Sequence, residues 1–335
     1  VYKRQDHAGP MPKVPLGREA VVVFTSGSTG TPLPLKKSPA LLAATGDLIA
    51  KRFGWNGPAP AALLATVPSQ HMYGLETSIA APLWGGAAVH SAKPLYPADI
   101  AAALAALPAP RILVTTPIHL NALVKTKTAL PALQQVISAT APLTDELAAA
   151  TERLYDTEVC EIFGFSEAGT VATRRTLDGP IWHNCDSLVL QQSDDGCSFD
   201  APHYPAPVPV NDIIEVLTPE SFKLRGRPTD MVNIAGKRAS LSGLNAILLA
   251  VPGVQDGAFF IEEKITGKVI RPIAFVVADG LTADQVLTAL RKNIDSAFLP
   301  RQIYLVPQLP RSETGKLPRS ALAALIAQVT SQKPG

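Results

Sequence analysis

Residues 21–32 place an apolar run directly before a loop of hydroxyls and glycines, Val21-Val22-Val23-Phe24-Thr25-Ser26-Gly27-Ser28-Thr29-Gly30-Thr31-Pro32. The apolar run predicts a buried strand. Glycines allow positive φ and let the backbone approach a ligand closely. Successive backbone N–H groups in such a loop form an anion-binding nest, and the hydroxyls add further donors. The stretch therefore predicts a loop that holds a polyphosphate.

This loop differs from the commonest phosphate loop. The Walker type needs a glycine directly before its Lys-Ser pair, and Lys37-Ser38 has none. A flexible Gly/Ser linker is the other reading, but such linkers do not follow directly from a buried strand. The stretch from Thr25 to Pro32 instead resembles the loop of the adenylate-forming superfamily. That superfamily contains acyl-CoA and aryl-CoA synthetases, peptide-synthetase adenylation domains and luciferases.

Further segments resemble the same superfamily, in its order. The first is similar to its Tyr-Gly-x-Thr-Glu segment, the second to its hinge and the loop that follows, and the third to its P-x-x-x-x-G-K-x-x-R signature. They are Glu161-Ile162-Phe163-Gly164-Phe165-Ser166-Glu167, then Gly226-Arg227-Pro228-Thr229-Asp230 with residues 233–238, then residues 309–319. Asp212 lies fifteen residues before Arg227, as the ribose-binding aspartate of the superfamily lies before an arginine.

The resemblance implies a role for each matching residue. The residues expected to bind the nucleotide form four groups. The phosphate loop contributes Thr25, Ser26, Gly27, Ser28, Thr29 and Gly30, and the turn along adenine contributes Ala139, Thr140 and Ala141. The adenine and α-phosphate segment contributes Phe163 and Gly164, and the ribose pair is Asp212 and Arg227. Catalytic roles fall to Lys316, Glu167, Ser166, His71 and Lys237. Glu167 is also the expected Mg²⁺ ligand, since hard carboxylate oxygen suits that ion. Asp230 is the expected hinge.

Each of these residues has a plainer interpretation when it is taken alone. Glu167 would be a solvated carboxylate, Asp212 a turn residue, Arg227 a structural ion-pair partner and Lys316 an ordinary exposed lysine. The order and spacing of the segments favour the functional interpretation.

The acid substrate is indicated by residues 68–75, Pro68-Ser69-Gln70-His71-Met72-Tyr73-Gly74-Leu75. This stretch resembles the P-x-F-H-x-x-G-L segment of acyl and aryl ligases. Amino-acid-activating relatives place an aspartate here, and this chain has none. His71 is either part of that segment or a packed core histidine. Residues 138–143 resemble the G-A-P-L turn beside the acyl pocket, where small side chains leave room for an aryl or fatty acyl group.

The implied reaction has two halves. ATP activates a carboxylic acid as an acyl-adenylate with release of pyrophosphate, and the acyl group then passes to a thiol of CoA or of carrier-protein phosphopantetheine. An acyl carrier protein is therefore an expected partner. The alternatives are a non-catalytic or truncated adenylate-binding protein and an adenylating enzyme with a non-thiol acceptor. Retention of both Glu167 and Lys316 argues against the first of these.

Composition fits a multidomain α/β protein. The chain has 335 residues, of which 47% are hydrophobic and 17% charged, so large cores are expected. The net charge is +2, and no basic run suggests a nucleic-acid partner. No apolar stretch approaches the length of a membrane span, and no signal-peptide pattern begins the chain, so a cytoplasmic protein is expected.

Strand and helix patterns alternate through the first two thirds, which predicts sheets flanked by helices. Helices are predicted at 39–53, 97–107, 117–125 and 144–155, and strands at 61–67, 87–90, 111–114, 136–138 and 158–163. The pattern restarts after Asp230, with strands at 258–262 and 273–277 and a helix at 283–297. The prediction is an AMP-binding domain over 1–229 and a small mobile α+β lid domain over 230–335.

The match departs from the superfamily in several places. Only residues 1–20 precede the phosphate loop, so an N-terminally truncated first domain is expected. Leu33 stands where the superfamily usually has lysine, which makes Lys36 or Lys37 the candidate substitute. Phe163 replaces tyrosine and Ser166 replaces threonine. No Thr-Gly pair precedes Asp212.

Overall fold

The computed structural model describes residues 15, 18–25, 33–194, 196–226, 231–234, 237–261, 272–311 and 317–331. These residues form a large sheet with helices on both faces, followed by a smaller unit of strands and helices. This confirms the predicted α/β class, with a large sheet domain and a small C-terminal domain.

The described strands, in chain order, are β1 Val21–Thr25, β2 Leu33–Lys37, β3 Ala62–Ala65, β4 Ala88–Val89, β5 Arg111–Thr115, β6 Gln135–Ser138, β7 Glu158–Phe165, β8 Gly169–Arg175, β9 Ile181–Asn184, β10 Val189–Ser193, β11 Gly196–Asp200, β12 Val208–Pro209, β13 Ile213–Thr218, β14 Ser221–Gly226, β15 Met231–Ile234, β16 Lys237–Ser240, β17 Val254–Phe260, β18 Ile273–Ala278 and β19 Gln302–Leu305. The described helices are α1 Pro39–Arg52, α2 Met72–Leu75, α3 Ala81–Gly85, α4 Pro97–Ala105, α5 Pro117–Thr126, α6 Asp145–Tyr155, α7 Leu241–Leu249, α8 Ala283–Leu290 and α9 Arg319–Ser331.

The large sheet has nine strands in the order β13-β14-β9-β8-β7-β6-β5-β3-β4. Strands β4, β3, β5, β6 and β7 are parallel to their neighbours, and the strands from β7 to β13 pair antiparallel. Parallel strands need crossover connections, and α4, α5 and α6 supply them. The sheet therefore combines a parallel half, buried on both faces, with an antiparallel half.

Side chains that alternate along the central strands separate two cores. Leu63, Ile112 and Val114 pack into one core with residues of α1, whereas Leu64 and Leu113 pack into the other with residues of α4, α5 and α6. Successive side chains of a strand point to opposite faces, so an almost wholly apolar strand needs helices on both sides. This accounts for the short apolar runs that the sequence shows between its helices.

Proline starts several helices where the sequence predicts them. Pro39, Pro97 and Pro117 each stand in the first turn of their helix. Proline suits this position because its missing N–H would have no intrahelical partner there. The predicted strand over 158–163 extends to Phe165, which brings it to the edge of the turn that carries Ser166.

The first strand differs from the prediction. β1 pairs antiparallel with β2 to make a separate two-stranded hairpin, and the residues between these strands, 26–32, lie outside the described part of the chain. Val23 is 4% exposed, but Val22 and Phe24 are 41% and 63% exposed. The prediction of a buried strand is wrong here, because a hairpin covered on one face buries alternate side chains.

In the C-terminal unit, β15 and β16 form a hairpin, and β17, β18 and β19 form a three-stranded sheet. Helices α7 and α8 pack on one side of that sheet, and α9 packs around Phe275 on the other. The helix predicted over 283–297 ends at Leu290. Asp295 accepts a hydrogen bond from the Ala297 N–H at 3.0 Å, which favours a separate short turn over a continued helix.

The helical stretch from Met72 to Gly85 contains one π turn, Glu76–Ala80, between α2 and α3. Helix α1 packs closely against it. A Cβ on Gly46 of α1 would collide with the carbonyl group of Ala80, and a Cβ on Gly85 would collide with Ala50. Glycine is required at this crossing because the two backbones touch. Across the described residues, no helix is long and apolar enough to cross a membrane.

We expect Gly46→Ala to lower the free energy of unfolding by about 1–2 kcal/mol. The collision with Ala80 should outweigh the roughly 1 kcal/mol that alanine gains over glycine inside a helix. Urea unfolding of the intact chain measures the change. Gly57→Ala is the control, since the nearest atom to its new Cβ would be the Gly54 carbonyl oxygen at 3.7 Å. Equal effects of the two substitutions would contradict the close packing of α1.

Candidate active site

Several predicted site residues lie at one edge of the large sheet. Strands β6 and β7 are parallel, so their carboxyl ends share that edge, which is where open α/β sheets bind ligands. Ala139, Thr140 and Ala141 follow β6, and Ser166 and Glu167 form the turn after β7. The fold therefore brings the turn predicted to lie along adenine, residues 139–141, close to the expected Mg²⁺ ligand.

Lys37 connects that turn to the hairpin of β1 and β2. Its ammonium donates a hydrogen bond of 2.9 Å to the backbone oxygen of Glu167, and its side chain is buried. Because Lys37 is the last residue of β2, this bond fixes the hairpin beside the turn. Thr25 ends β1 opposite Leu33, whereas Ser26, Gly27, Ser28, Thr29 and Gly30 lie outside the described residues.

The two candidate lysines differ sharply. Lys36 is exposed and forms an ion pair of 2.6 Å with Glu19, so it is directed away from the Glu167 turn. Lys37 is 2% exposed, and burial lowers its pKa, with Glu76 and Glu167 acting in the opposite direction. Lys37 is thus a buried cation already engaged with the protein.

Glu76 is a site residue that the sequence interpretation missed. Glu76 begins the π turn, and its side chain is 2% exposed. Its carboxylate accepts two hydrogen bonds from Thr170, at 3.1 Å from the backbone N–H and at 2.7 Å from the hydroxyl of Thr170. Burial raises its pKa to about 7, against the opposing effects of the Thr170 hydrogen bonds and of Lys37. In the sequence, the position of Glu76 directly after Gly74 and Leu75 was the signal from which its burial could have been predicted.

Gly169 is shaped by the same contact. Its φ is +86°, a region that favours glycine, and a Cβ there would collide with the Glu76 carboxylate. Glycine is therefore required two residues after Glu167, because a larger side chain there would displace the Glu76 carboxylate.

Glu167 itself carries an exposed carboxylate. No group of three or more His, Cys, Asp or Glu within the described ranges could hold a metal ion by itself. One exposed carboxylate fits Mg²⁺, which usually takes one or two carboxylates and completes its shell with phosphate oxygens and water. The residues present thus suit an ion that arrives with a nucleotide.

Phe163 lies in an aromatic cluster beneath the turn. Its ring is 5.7 Å from that of Trp182 and 5.6 Å from that of Phe222, and its side chain is 9% exposed. Gly164 is exposed, and a Cβ on it would collide with the backbone of Gly169. The adenine contact of Phe163 stays a prediction, and the ring also anchors the end of β7 in the core.

His71 is exposed and stands directly before α2, so the alternative of a packed core histidine is wrong. Its segment is held over the sheet edge by Tyr73. The Tyr73 hydroxyl lies 3.2 Å from the Thr115 carbonyl oxygen and 3.0 Å from that of Ile137, at the ends of β5 and β6. Gly74 packs so closely against the Pro68 carbonyl group that no Cβ would fit.

A buried polar cluster lies at the same edge. The His119 Nδ1 is 2.9 Å from the Thr116 hydroxyl and 3.3 Å from that of Thr66, and burial lowers the pKa of His119. The Ser138 hydroxyl is fully buried and has no hydrogen-bond partner among the residues described. These groups place buried polar atoms at the carboxyl ends of β3, β5 and β6.

Thr140 adopts a φ of +79° in the adenine turn. Positive φ is a genuine outlier for a β-branched residue, and such strain concentrates at ligand sites. The turn therefore holds a conformation that glycine would adopt more easily.

The remaining predicted residues are dispersed or outside the described ranges. Asp212 directly precedes β13 and is half-buried. Lys237 begins β16 and forms an exposed ion pair of 2.6 Å with Asp295, inside the C-terminal unit. Arg227, Asp230 and Lys316 lie outside the described residues.

The sequence of this chain matches two family models. Residues 2–218 match the model of the AMP-binding enzymes, and residues 244–316 match that of the AMP-binding enzyme C-terminal domain. The chain belongs to the AMP-binding enzyme family. The resemblance to the adenylate-forming superfamily is thereby confirmed.

Two curated relatives of this AMP-binding enzyme are 4-coumarate–CoA ligases. The one from Rhodobacter capsulatus is 28% identical over 302 residues, which cover 89% of this chain and 74% of the relative. The one from Cereibacter sphaeroides is 26% identical over 315 residues, which cover 90% and 71%. These relatives support the predicted class of acid–thiol ligase and do not favour the non-catalytic alternative.

Solved structures of similar fold include ATP-bound MatB from Rhodopseudomonas palustris, with a TM-score of 0.79, 17% identity, and coverage of 96% of this chain and 71% of that one. The anthranilate CoA ligase AuaEII, in complex with anthranoyl-AMP, has a TM-score of 0.74 and 17% identity over 92% and 68%. At such identities the likeness establishes the fold of this AMP-binding enzyme.

We expect Glu76→Gln to change how stability depends on pH. The folded pKa of Glu76, about 7, lies above its ordinary value of 4.5, so the stability it contributes is present at low pH and lost as pH rises through 7. Between pH 5 and pH 8 the parent should lose about 2.5 kcal/mol through this group, and the variant should not. Denaturant unfolding of both proteins at the two pH values measures the difference.

The exposed Glu220 supplies the control for this pH effect. Glu220→Gln should leave the pH dependence of the parent unchanged. A parallel pH dependence in the parent and Glu76→Gln would show that Glu76 does not titrate in this range.

Proposed function

We propose that this chain activates an aromatic carboxylic acid with ATP and transfers the aryl group to a thiol, CoA being the first candidate acceptor. The observation that carries the proposal is the bond from Lys37 to Glu167, which sets the ends of the phosphate-loop hairpin against the turn of the expected Mg²⁺ ligand. Both lie beside the adenine turn at the carboxyl edge of the sheet. A nucleoside triphosphate is the ligand that would contact the phosphate loop, the turn of Glu167 and the adenine turn together.

The first half-reaction is adenylation. A carboxylate oxygen of the acid attacks the α-phosphorus, the bond from that phosphorus to the β-phosphate oxygen breaks, and pyrophosphate leaves. Charge spreads over non-bridging oxygens, so preorganised donors give most of the catalysis. The hydroxyls of Thr25, Ser26, Ser28 and Thr29, the Ser166 hydroxyl and the Lys316 ammonium are the proposed donors. Mg²⁺, held by Glu167, would neutralise phosphate charge.

The second half-reaction is thioester formation. The thiol sulfur attacks the carbonyl carbon of the acyl-adenylate, its proton passes to solvent, and AMP leaves as the bond from carbon to phosphate oxygen breaks. We propose domains over 1–229 and 230–335, with rotation at Asp230 moving Lys316 away and bringing Lys237 toward the thiol. Asp212 and Arg227 would hold the ribose through its hydroxyls.

An aromatic acid is favoured over a fatty acid for two reasons. The relatives that span most of the chain are 4-coumarate–CoA ligases, whereas an acetyl-CoA synthetase of Emericella nidulans matches 32% of it. Ala139 and Ala141 have small side chains, which suit an aryl group beside them, and the adjacent Ser138 hydroxyl has no hydrogen-bond partner among the described residues. An acyl carrier protein as acceptor is the second candidate.

ATP–pyrophosphate exchange with hydroxycinnamic, benzoic, medium-chain fatty and amino acids tests the proposal. Exchange should be strongest with an aromatic acid. A folded sample that binds ATP but exchanges with none of these acids would contradict adenylation, and exchange confined to fatty or amino acids would contradict the substrate class.

We expect Lys316→Ala to slow exchange by at least a hundredfold, about 3 kcal/mol, because a preorganised cation at the α-phosphate would be lost. Lys292→Ala removes an exposed lysine from the same C-terminal unit and should change exchange less than twofold. A loss below tenfold for Lys316→Ala would exclude it as the catalytic lysine.

Proline at position 230 should separate the two half-reactions. Asp230→Pro restricts the backbone, so it should slow thioester formation at least tenfold more than it slows ATP–pyrophosphate exchange. Asp230→Ala keeps backbone freedom and serves as the control. Equal losses in both half-reactions would exclude a hinge at this position.

A further inference from the structure

The turn that carries Ser166 and Glu167 is held from two sides by residues far away in the chain. Lys37, 130 residues earlier, donates to the Glu167 carbonyl oxygen at 2.9 Å. Glu76, 94 residues before Thr170, accepts from both the N–H and the hydroxyl of Thr170. The turn is therefore fixed at its start by a cation and at its end by a carboxylate.

These two supports come from different parts of the site. Lys37 ends the strand β2, and Glu76 lies five residues after His71, directly after the segment 68–75. Neither charged group is exposed beyond 2%. Their bonds thus connect the β1–β2 hairpin, the segment 68–75 and the Ser166–Glu167 turn.

The choice of residues at this place is costly in stability. Removing a charge from water is unfavourable unless it is paired and hydrogen-bonded, and apolar residues of similar volume are often at least as stable as a buried charged pair. Lys37 and Glu76 attract each other, but much of their hydrogen-bonding capacity is directed at the turn. This arrangement favours a role in geometry over a role in stability.

We propose that Lys37 and Glu76 are positioning residues for adenylation, which fix the Ser166–Glu167 turn relative to the β1–β2 hairpin and to the segment that carries His71. The inference rests on the proposed function, since it concerns the step in which Glu167 would serve as metal ligand. Neither residue contacts the reacting atoms in this account. Each acts through the backbone of the turn.

ATP–pyrophosphate exchange at varied Mg²⁺ tests this role. Lys37→Met should lower exchange at least thirtyfold and raise the apparent KM for Mg²⁺ at least tenfold, and Lys37→Arg should recover part of both. Lys36→Met is the matched control, because Lys36 is the neighbouring lysine on the same strand and pairs with Glu19 outside the site. It should stay within twofold of the parent.

Amide hydrogen exchange of the nucleotide-free chain gives a readout that does not depend on activity. The Thr170 amide should exchange at least tenfold faster in Glu76→Met, which removes both acceptor oxygens, and peptides over 164–171 should exchange faster in Lys37→Met. Unchanged exchange of this segment in both variants would overturn the inference.

A double variant separates positioning from stability. Lys37→Met with Glu76→Gln removes both buried charges, so it should fold about as stably as the parent even where one single variant does not. A positioning role predicts that it still has the raised KM for Mg²⁺, and recovery of parental kinetics would overturn that role. A parent that shows no ATP–pyrophosphate exchange contradicts the proposed function, whereas the amide exchange data judge the turn independently.

Discussion

The hydrogen bond from the Lys37 ammonium to the Glu167 carbonyl oxygen joins two segments that the sheet alone would leave unconnected. Among the described residues, the hairpin of β1 and β2 forms no strand pairing with the nine-stranded sheet, and Val21 and Val23 of β1 pack into a small separate core. The position of this hairpin relative to the sheet edge therefore depends on the Lys37 bond together with the packing of Val21 and Val23.

Glycine has a matching role around this bond. Gly74, Gly164 and Gly169 each lie where a Cβ would collide with backbone or with the Glu76 carboxylate. The site is thus assembled by close approach of main chains, and charged side chains then lock the pieces. Glycines have no side chain that could hold the turn by packing, so the hydrogen bonds of Lys37 and Glu76 hold it in place.

The sequence predicted the sheet domain well where physical signals are local. Prolines started helices at Pro39, Pro97 and Pro117, and short apolar runs became the central strands, since both depend on neighbouring residues. Exposure of Phe24 and the end of α8 at Leu290 were not predictable in this way, because they follow from which surfaces pair and from the side-chain bonds of Asp295. Glu167 was predicted as the Mg²⁺ ligand from an ordered pattern, and that role stays a prediction. Glu76 was missed because its partner, Thr170, is distant in sequence and its burial is a property of the fold.

The π turn at Glu76–Ala80 gives this segment a strict length. A π turn holds one more residue than an α turn, so deletion of a residue between Thr77 and Ala80 would restore a regular α-helix and rotate one flank by roughly 100° relative to the other. Either Glu76 would leave Thr170, or Ala80 and Gly85 would leave their contacts with α1. In an AMP-binding enzyme built this way, an insertion or deletion in this stretch would disturb both contacts at once. The number of residues there carries as much information as their identity.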